Sequence, residues 1–164
     1  MTPERAAIVA TLQAVPNIGV VHAYERTAAD LAKMKQLYYS AAHNQIRGWF
    51  IRRVRVREIG LLQPVYLEVT EWQIRGFMSI DDSAGSELVM DSLIEAVRDG
   101  LRANNTLTGT VRKLGLLQSG AERGLQLEDF GPYMFGGVLC HGARLALTTT
   151  KELTQTGSST TVGD

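Results

Sequence analysis

Two adjacent patterns dominate the middle of the chain. Residues 65–80 read V-Y-L-E-V-T-E-W-Q-I-R-G-F-M-S-I, with Val65, Leu67, Val69 and Phe77 on one parity and Tyr66, Trp72, Ile74 and Met78 on the other. Side chains alternate across a strand, so this is a strand with apolar groups on both faces. After a turn at Asp81-Asp82-Ser83, residues Met90, Leu93, Ile94, Val97 and Leu101 fall on a single stripe of helical period. Asp91, Ser92, Glu95, Arg98 and Asp99 take the other side. Fully burying such side chains stabilises by about 1.5–3 kcal/mol each, in sum comparable with the net stability of a small domain, about 5–15 kcal/mol. The helix is expected to pack on the sheet that holds the strand.

The flanking segments extend this picture. Thr2-Pro3-Glu4 reads as a helix start, with Thr2 as N-cap and Pro3 at the first helical position. Ile8, Leu12 and Val15 form its apolar face, and Pro16-Asn17-Ile18-Gly19 stops it. Residues 19–25 suit a short strand. Thr27-Ala28-Ala29-Asp30 resembles a capping box before a short helix with Leu31, Met34 and Tyr38 on one side. Residues 45–59 form a long strand: Ile46, Phe50, Val54 and Val56 share one parity, and Arg53, Arg55 and Arg57 the other, after Trp49 and Ile51. With a turn over residues 60–64, an antiparallel hairpin with the next strand is the default.

After the long helix, residues 104–110 are a connector. The last strands span 125–130 and 138–149, separated by Gly131-Pro132 and Gly136-Gly137. Both parities of the final strand are apolar, which favours a central or interface position. From Lys151 onward Thr, Ser and Gly prevail without apolar period, which predicts a flexible tail. Residues 56–63 (V-R-E-I-G-L-L-Q) resemble 111–118 (V-R-K-L-G-L-L-Q), but nothing around them repeats, which excludes a solenoid. The expected fold is α+β, an α/β sandwich. Its mostly antiparallel sheet contains a long hairpin and is packed on one side by two or three helices. Residues 1–150 form one domain and 151–164 the tail.

Composition narrows the function. At 45% hydrophobic and 21% charged the chain is an ordinary globular one. Lys+Arg and Asp+Glu both number 17, so net charge gives no pull toward nucleic acid or membrane. The single Cys140 rules out a disulfide within the chain and fits a reducing compartment. The first residues lack a signal-peptide pattern, and no apolar run approaches the ~20 residues needed to span a bilayer.

Candidate chemistry is sparse. His22, His43 and His141 have no His or Cys at zinc spacing. Cys140 and His141 are strand neighbours on opposite faces, so a thiolate–imidazole pair is ruled out and a buried thiol beside a packed histidine is expected. Asp81 and Asp82 precede a helix, where capping accounts for them. A small α+β enzyme or ligand-binding domain with a site near Asp81, Asp82 and His141 is the alternative. Glu128 and Asp129 should point apart and serve a solvent face or subunit contact. Gly131, Gly136 and Gly137 suit a tight turn; no dinucleotide, phosphate-loop or nucleophile-elbow motif is present. No catalytic, cofactor-binding or metal-ligating residue is assigned.

The arginines Arg47, Arg52, Arg53, Arg55 and Arg57 are the one charge cluster with character. They suit an exposed strand face guarded against edge pairing, contacts to nucleic-acid phosphates, or intersubunit pairs with acids such as Glu68, Glu71 and Glu87. Neutral net charge weighs against the second. The expected interface residues are Arg52, Arg53, Arg55, Arg57, Glu68 and Glu71.

As an ensemble, several segments resemble the tail terminator (tail completion) proteins of long-tailed bacteriophages and prophages. These are I-G-V-V-H-A-Y-E-R at 18–26, W-Q-I-R-G at 72–76, Asp81-Asp82-Ser83, I-E-A-V-R at 94–98 and M-F-G-G-V-L-C-H-G-A-R-L-A at 134–146. The likeness covers most of residues 15–149, and its order carries it more than any one motif. It implies a non-enzymatic virion protein, assembled in the host cytoplasm, with neither cofactor nor catalytic residue. A ring, usually of six copies, would cap the head-proximal end of the tail tube, stop its polymerisation and present the surface that joins the neck. The implied partners are further copies, the tail tube protein and a neck or head-completion protein; DNA passes through the lumen without specific binding, and no membrane is involved.

Overall fold

The computed structural model describes residues 1–62, 64–115 and 124–154. Helix α1 (Pro3–Gln13) starts as its sequence predicts: Thr2 is the N-cap and its hydroxyl accepts the Arg5 N–H at 3.4 Å. Strand β1 (Val20–His22), helix α2 (Leu31–Tyr38) and strand β2 (Tyr39–Ser40) lead into the hairpin of β3 (Gln45–Leu62) and β4 (Val65–Ser79). Helix α3 (Ser86–Ala103) follows a single 3-10 turn, and β5 (Lys113–Leu114), β6 (Leu125–Phe135) and β7 (Val138–Thr154) complete the described elements.

The strands form a 7-stranded sheet in the order β1-β3-β4-β7-β5, with β2 also on β3 and β6 also on β7. Every pairing is antiparallel except β1 with β3. The fold is α+β, and β7 is central, as its two apolar faces predict. One face carries α1 and α3. Met90, Ile94, Val97 and Leu101 of the predicted stripe are fully buried there with Ile8, Leu12, Trp49, Ile51, Ile74 and Leu145. Among the described residues the other face carries α2 alone, whose Tyr38 caps a second cluster with Ile46, Phe50, Phe77, Phe135 and Cys140. Tyr38 also exchanges hydrogen bonds with the Arg26 backbone at 3.0 Å.

The structure corrects several expectations. Asp30 is itself the N-cap of α2, accepting the Ala32 and Lys33 N–H groups, so the Thr27 capping box does not form. Leu31 lies exposed, away from the buried Tyr38. Gly131 and Pro132 are not a turn but register partners of Gly142 and His141 within β6, which runs on to Phe135. Strand β7 continues through Lys151 to Thr154, paired with β4 down to Val65, so the sheet includes the first four residues assigned to the tail. The rest of that tail, residues 155–164, lies outside the described residues. Of the repeated octapeptides, the first continues β3 to Leu62 and the second covers β5; Gln63 and residues 116–118 lie outside the described residues.

Candidate functional site

The arginine cluster lies on an open sheet edge. β2 pairs with β3 at residues 45–46 and β1 at 48–50, so beyond Ile51 the strand has, among the described residues, β4 on one side only. Residues 52–60 are exposed, apart from a partly buried Arg57. A bulge between Arg53 and Arg55 shifts the register, so that Arg53 faces Trp72 while Arg55 faces Glu71. One extra residue reverses the alternation. Arg53, Arg55 and Arg57 therefore do not share a face, contrary to the simple parity reading. Arg53 joins the α1 side, where it lines a shallow cavity of about 600 Å³ with Met1, Thr2, Arg5 and Tyr24. Arg52, Arg55 and Arg57 share the opposite face with Gln73, Glu71 and Val69.

The expected acids sit one strand further in, on β4. Glu71 is held within the chain by Arg57 at 3.2 Å, and Arg52 reaches Glu25 at 3.4 Å. The Arg57–Glu71 pair is part-buried and the Arg52–Glu25 pair exposed; an exposed ion pair contributes at most about 1 kcal/mol. Glu68 has Glu58 and Lys151 as its register neighbours on the α1 side, and the Lys151 ammonium bonds Glu4 at 2.8 Å. Among the described residues Arg53 and Arg55 have no ion pair. The structure thus gathers Arg52, Arg55, Arg57 and Glu71 on one face and places Arg53 and Glu68 on the other.

A second edge lies at the far side of the sheet. Among the described residues β6 pairs with β7 alone, and a bulge between Leu127 and Asp129 leaves Glu128 unmatched. Glu128 bonds the Arg144 side chain at 3.2 Å, and Asp129 is the register partner of the same arginine. Following the register from Arg144 to Arg75 and Phe50 puts Asp129 on the face opposite α1 and α3. The bulge thus brings both acids toward Arg144, where strict alternation predicts that they diverge. Gly131 and Pro132 within a strand are the sequence signal for this edge, because proline cannot donate to an outer neighbour. Arg75, on the same face, lies 5.2 Å from the Phe77 ring centroid and 4.9 Å from that of Tyr133.

The alternative site resolves into a structural latch. The Asp81 carboxylate accepts from the Ser83 hydroxyl at 2.7 Å and the Ala84 N–H at 3.3 Å, capping the 3-10 turn Asp82–Ala84. Gly85, in the left-handed region, then opens α3. The Ser86 hydroxyl accepts the Asp81 N–H at 2.8 Å and lies 2.8 Å from His141 Nε2. Ser86 and His141 are 6% and 8% exposed, so the pair joins α3 to β7 inside the protein. The Asp81 side chain points to its own turn and does not meet the histidine; only its backbone N–H joins the chain of bonds. Sequence reasoning missed Ser86, whose partner lies 55 positions away.

Cys140, on the other face of β7, is fully buried in the α2 cluster, and burial pushes its thiol up to about 11. Its separation from His141 is as the alternation predicts. Between α1 and α3 lies an apolar groove of about 460 Å³, lined mainly by Ala7, Ala10, Ala14, Ala96 and Gly100 and by no titratable side chain. Among the described residues no group of three or more His, Cys, Asp or Glu side chains could hold a metal, and no helix is long and apolar enough to cross a membrane. No protein-family model matches the chain, and no curated protein matches it.

Proposed function

We propose that this chain is an assembly protein of the tail-terminator kind: copies close into a ring on the head-proximal end of a phage tail tube, stop tube growth and receive the neck. The observation that carries this reading is the sheet itself. Besides the short strands β1, β2 and β5 at its borders, it presents two long strand edges, β3 beyond Ile51 and β6, that have one neighbour each among the described residues. Such edges are templates for another strand, which proteins normally cover or shorten. Arg52, Arg53, Arg55 and Arg57 supply the contact edge, with Glu68 and Glu71 beside it on β4. The commitment of Asp81 to its own turn and of His141 to Ser86 gives these groups a structural task, which supports assembly over catalysis near them.

The reading is tested by adding the purified chain to polymerising tail tube protein. Tubes that stop elongating and carry one added ring at a single end support it. Tubes that grow at an unchanged rate with bare ends contradict it. Particles made without this chain are expected to show over-long tails that lack heads.

A further inference from the structure

We infer that copies of this chain join edge to edge, β3 of one copy against β6 of the next, so that one sheet continues from subunit to subunit. The inference rests on the assembly reading above and names its interface. Three observations carry it. Both edges are free: among the described residues, β3 beyond Ile51 and β6 along its length have one neighbour each. Their net charges are opposite: the free stretch of β3 presents Arg52, Arg53, Arg55 and Arg57 against one acid, Glu58, and β6 presents Glu128 and Asp129; Arg52, Arg57 and Glu128 also have ion pairs within their own chain. Their directions agree, since β3, β4, β7 and β6 alternate antiparallel across the sheet.

The last point fixes the geometry. When copies repeat by rotation, each new β3 runs opposite to the β6 it meets, so the antiparallel pattern passes the junction unbroken. Rotation also preserves the faces. Arg55 of one copy then lies on the same face as Asp129 of the next, and neither has an ion pair within its own chain among the described residues. A two-fold contact would instead set β3 on β3, four arginines and one acid on each strand, or β6 on β6, acid against acid. Like charges directly opposite destabilise paired strands. The charges therefore select the heterologous contact, the kind that closes into rings. The bulges at Val54 and Glu128 and the proline in β6 limit the partners such an edge accepts.

The test uses the full chain with Arg55→Glu, Asp129→Arg, and both together. Each single change is expected to abolish the assembled species in native mass spectrometry, and the double swap to restore it. Paired cysteines provide a geometric check, because the native thiol is buried. Arg55→Cys with Asp129→Cys should give a ladder of disulfide-linked oligomers on mild oxidation, where Arg55→Cys alone should give none. A wild-type assembly that survives both single reversals, or Arg55→Cys alone giving a crosslinked dimer, overturns the edge contact while leaving the ring reading standing. A wild-type chain that stays monomeric overturns both.

Discussion

The Ser86 latch gives a quantitative prediction. Replacing Ser86 with alanine deletes one oxygen that serves two partners, the buried His141 Nε2 and the part-buried Asp81 N–H, each at 2.8 Å. A buried polar group left unpaired costs about 1–3 kcal/mol. His141 is 8% exposed and bears the full penalty, whereas Asp81 lies nearer solvent and recovers part of its own. The expected loss is roughly 2–4 kcal/mol. With a urea dependence of about 2 kcal/mol per molar, the unfolding midpoint should fall by about 1–2 M at unchanged slope. Trp49 and Trp72, 0% and 3% exposed, report the transition by fluorescence. Variants must be compared at one protein concentration, because assembly makes the midpoint concentration-dependent. Ser83→Ala, which removes only an exposed bond to Asp81, should stay within about 0.5 kcal/mol of the parent. If Ser86→Ala also stayed within that margin, the latch would not join α3 to β7 as described.

Three further predictions follow from the same packing. A Cβ at Gly76 would lie 2.5 Å from the Trp49 ring, whose indole N–H bonds the Ile18 carbonyl at 3.0 Å; Gly76→Ala should cost about 1–3 kcal/mol or more, read by urea unfolding, and a neutral result would contradict the close approach. Burial works against ionisation of Glu4, but its bonds to Lys151 and to the start of α1 outweigh this and lower its pKa, while the Glu4 bond raises that of Lys151. A depressed carboxylate stabilises above its unfolded value and loses that stability as pH falls through the folded one, so Glu4→Gln should flatten the stability profile below about pH 4.5. The raised lysine acts in the opposite sense, its stabilisation fading above about pH 10.5; a wild-type profile equal to that of Glu4→Gln in acid would contradict the pair. Cys140 should resist thiol reagents in the native protein and react on unfolding; stoichiometric native labelling would refute its burial.

Much of this fold was legible in the sequence because it rests on period. The α3 stripe, the β3–β4 hairpin and the α1 cap follow from local spacing, and each forms, the hairpin with a shorter turn than residues 60–64 because β3 runs on to Leu62. What escaped has a common physical origin. A bulge adds one residue without altering composition, so alternation alone could not reveal that Arg53 leaves the face of Arg55. The face taken by α2 depends on where Tyr38 finds Phe50 and Phe77, which is a long-range fact. Strand β7 runs past its sequence-expected end at Thr149 because Thr150 is buried and residues 151–154 stay paired with β4; threonine, being β-branched, suits a strand. The candidate surface was half legible: the basic strand stood out, but its position on an edge and its acidic counterpart on β6 required the strand order.

The central claim is that this sheet exists to meet copies of itself, and native mass spectrometry of the full chain over a range of micromolar concentrations tests it most directly. The account predicts a discrete closed oligomer that dissociates as salt rises and screens the Arg55–Asp129 contact. A single species at the 18.0 kDa of one chain, unchanged across concentration and in the presence of isolated tail tubes, would contradict it.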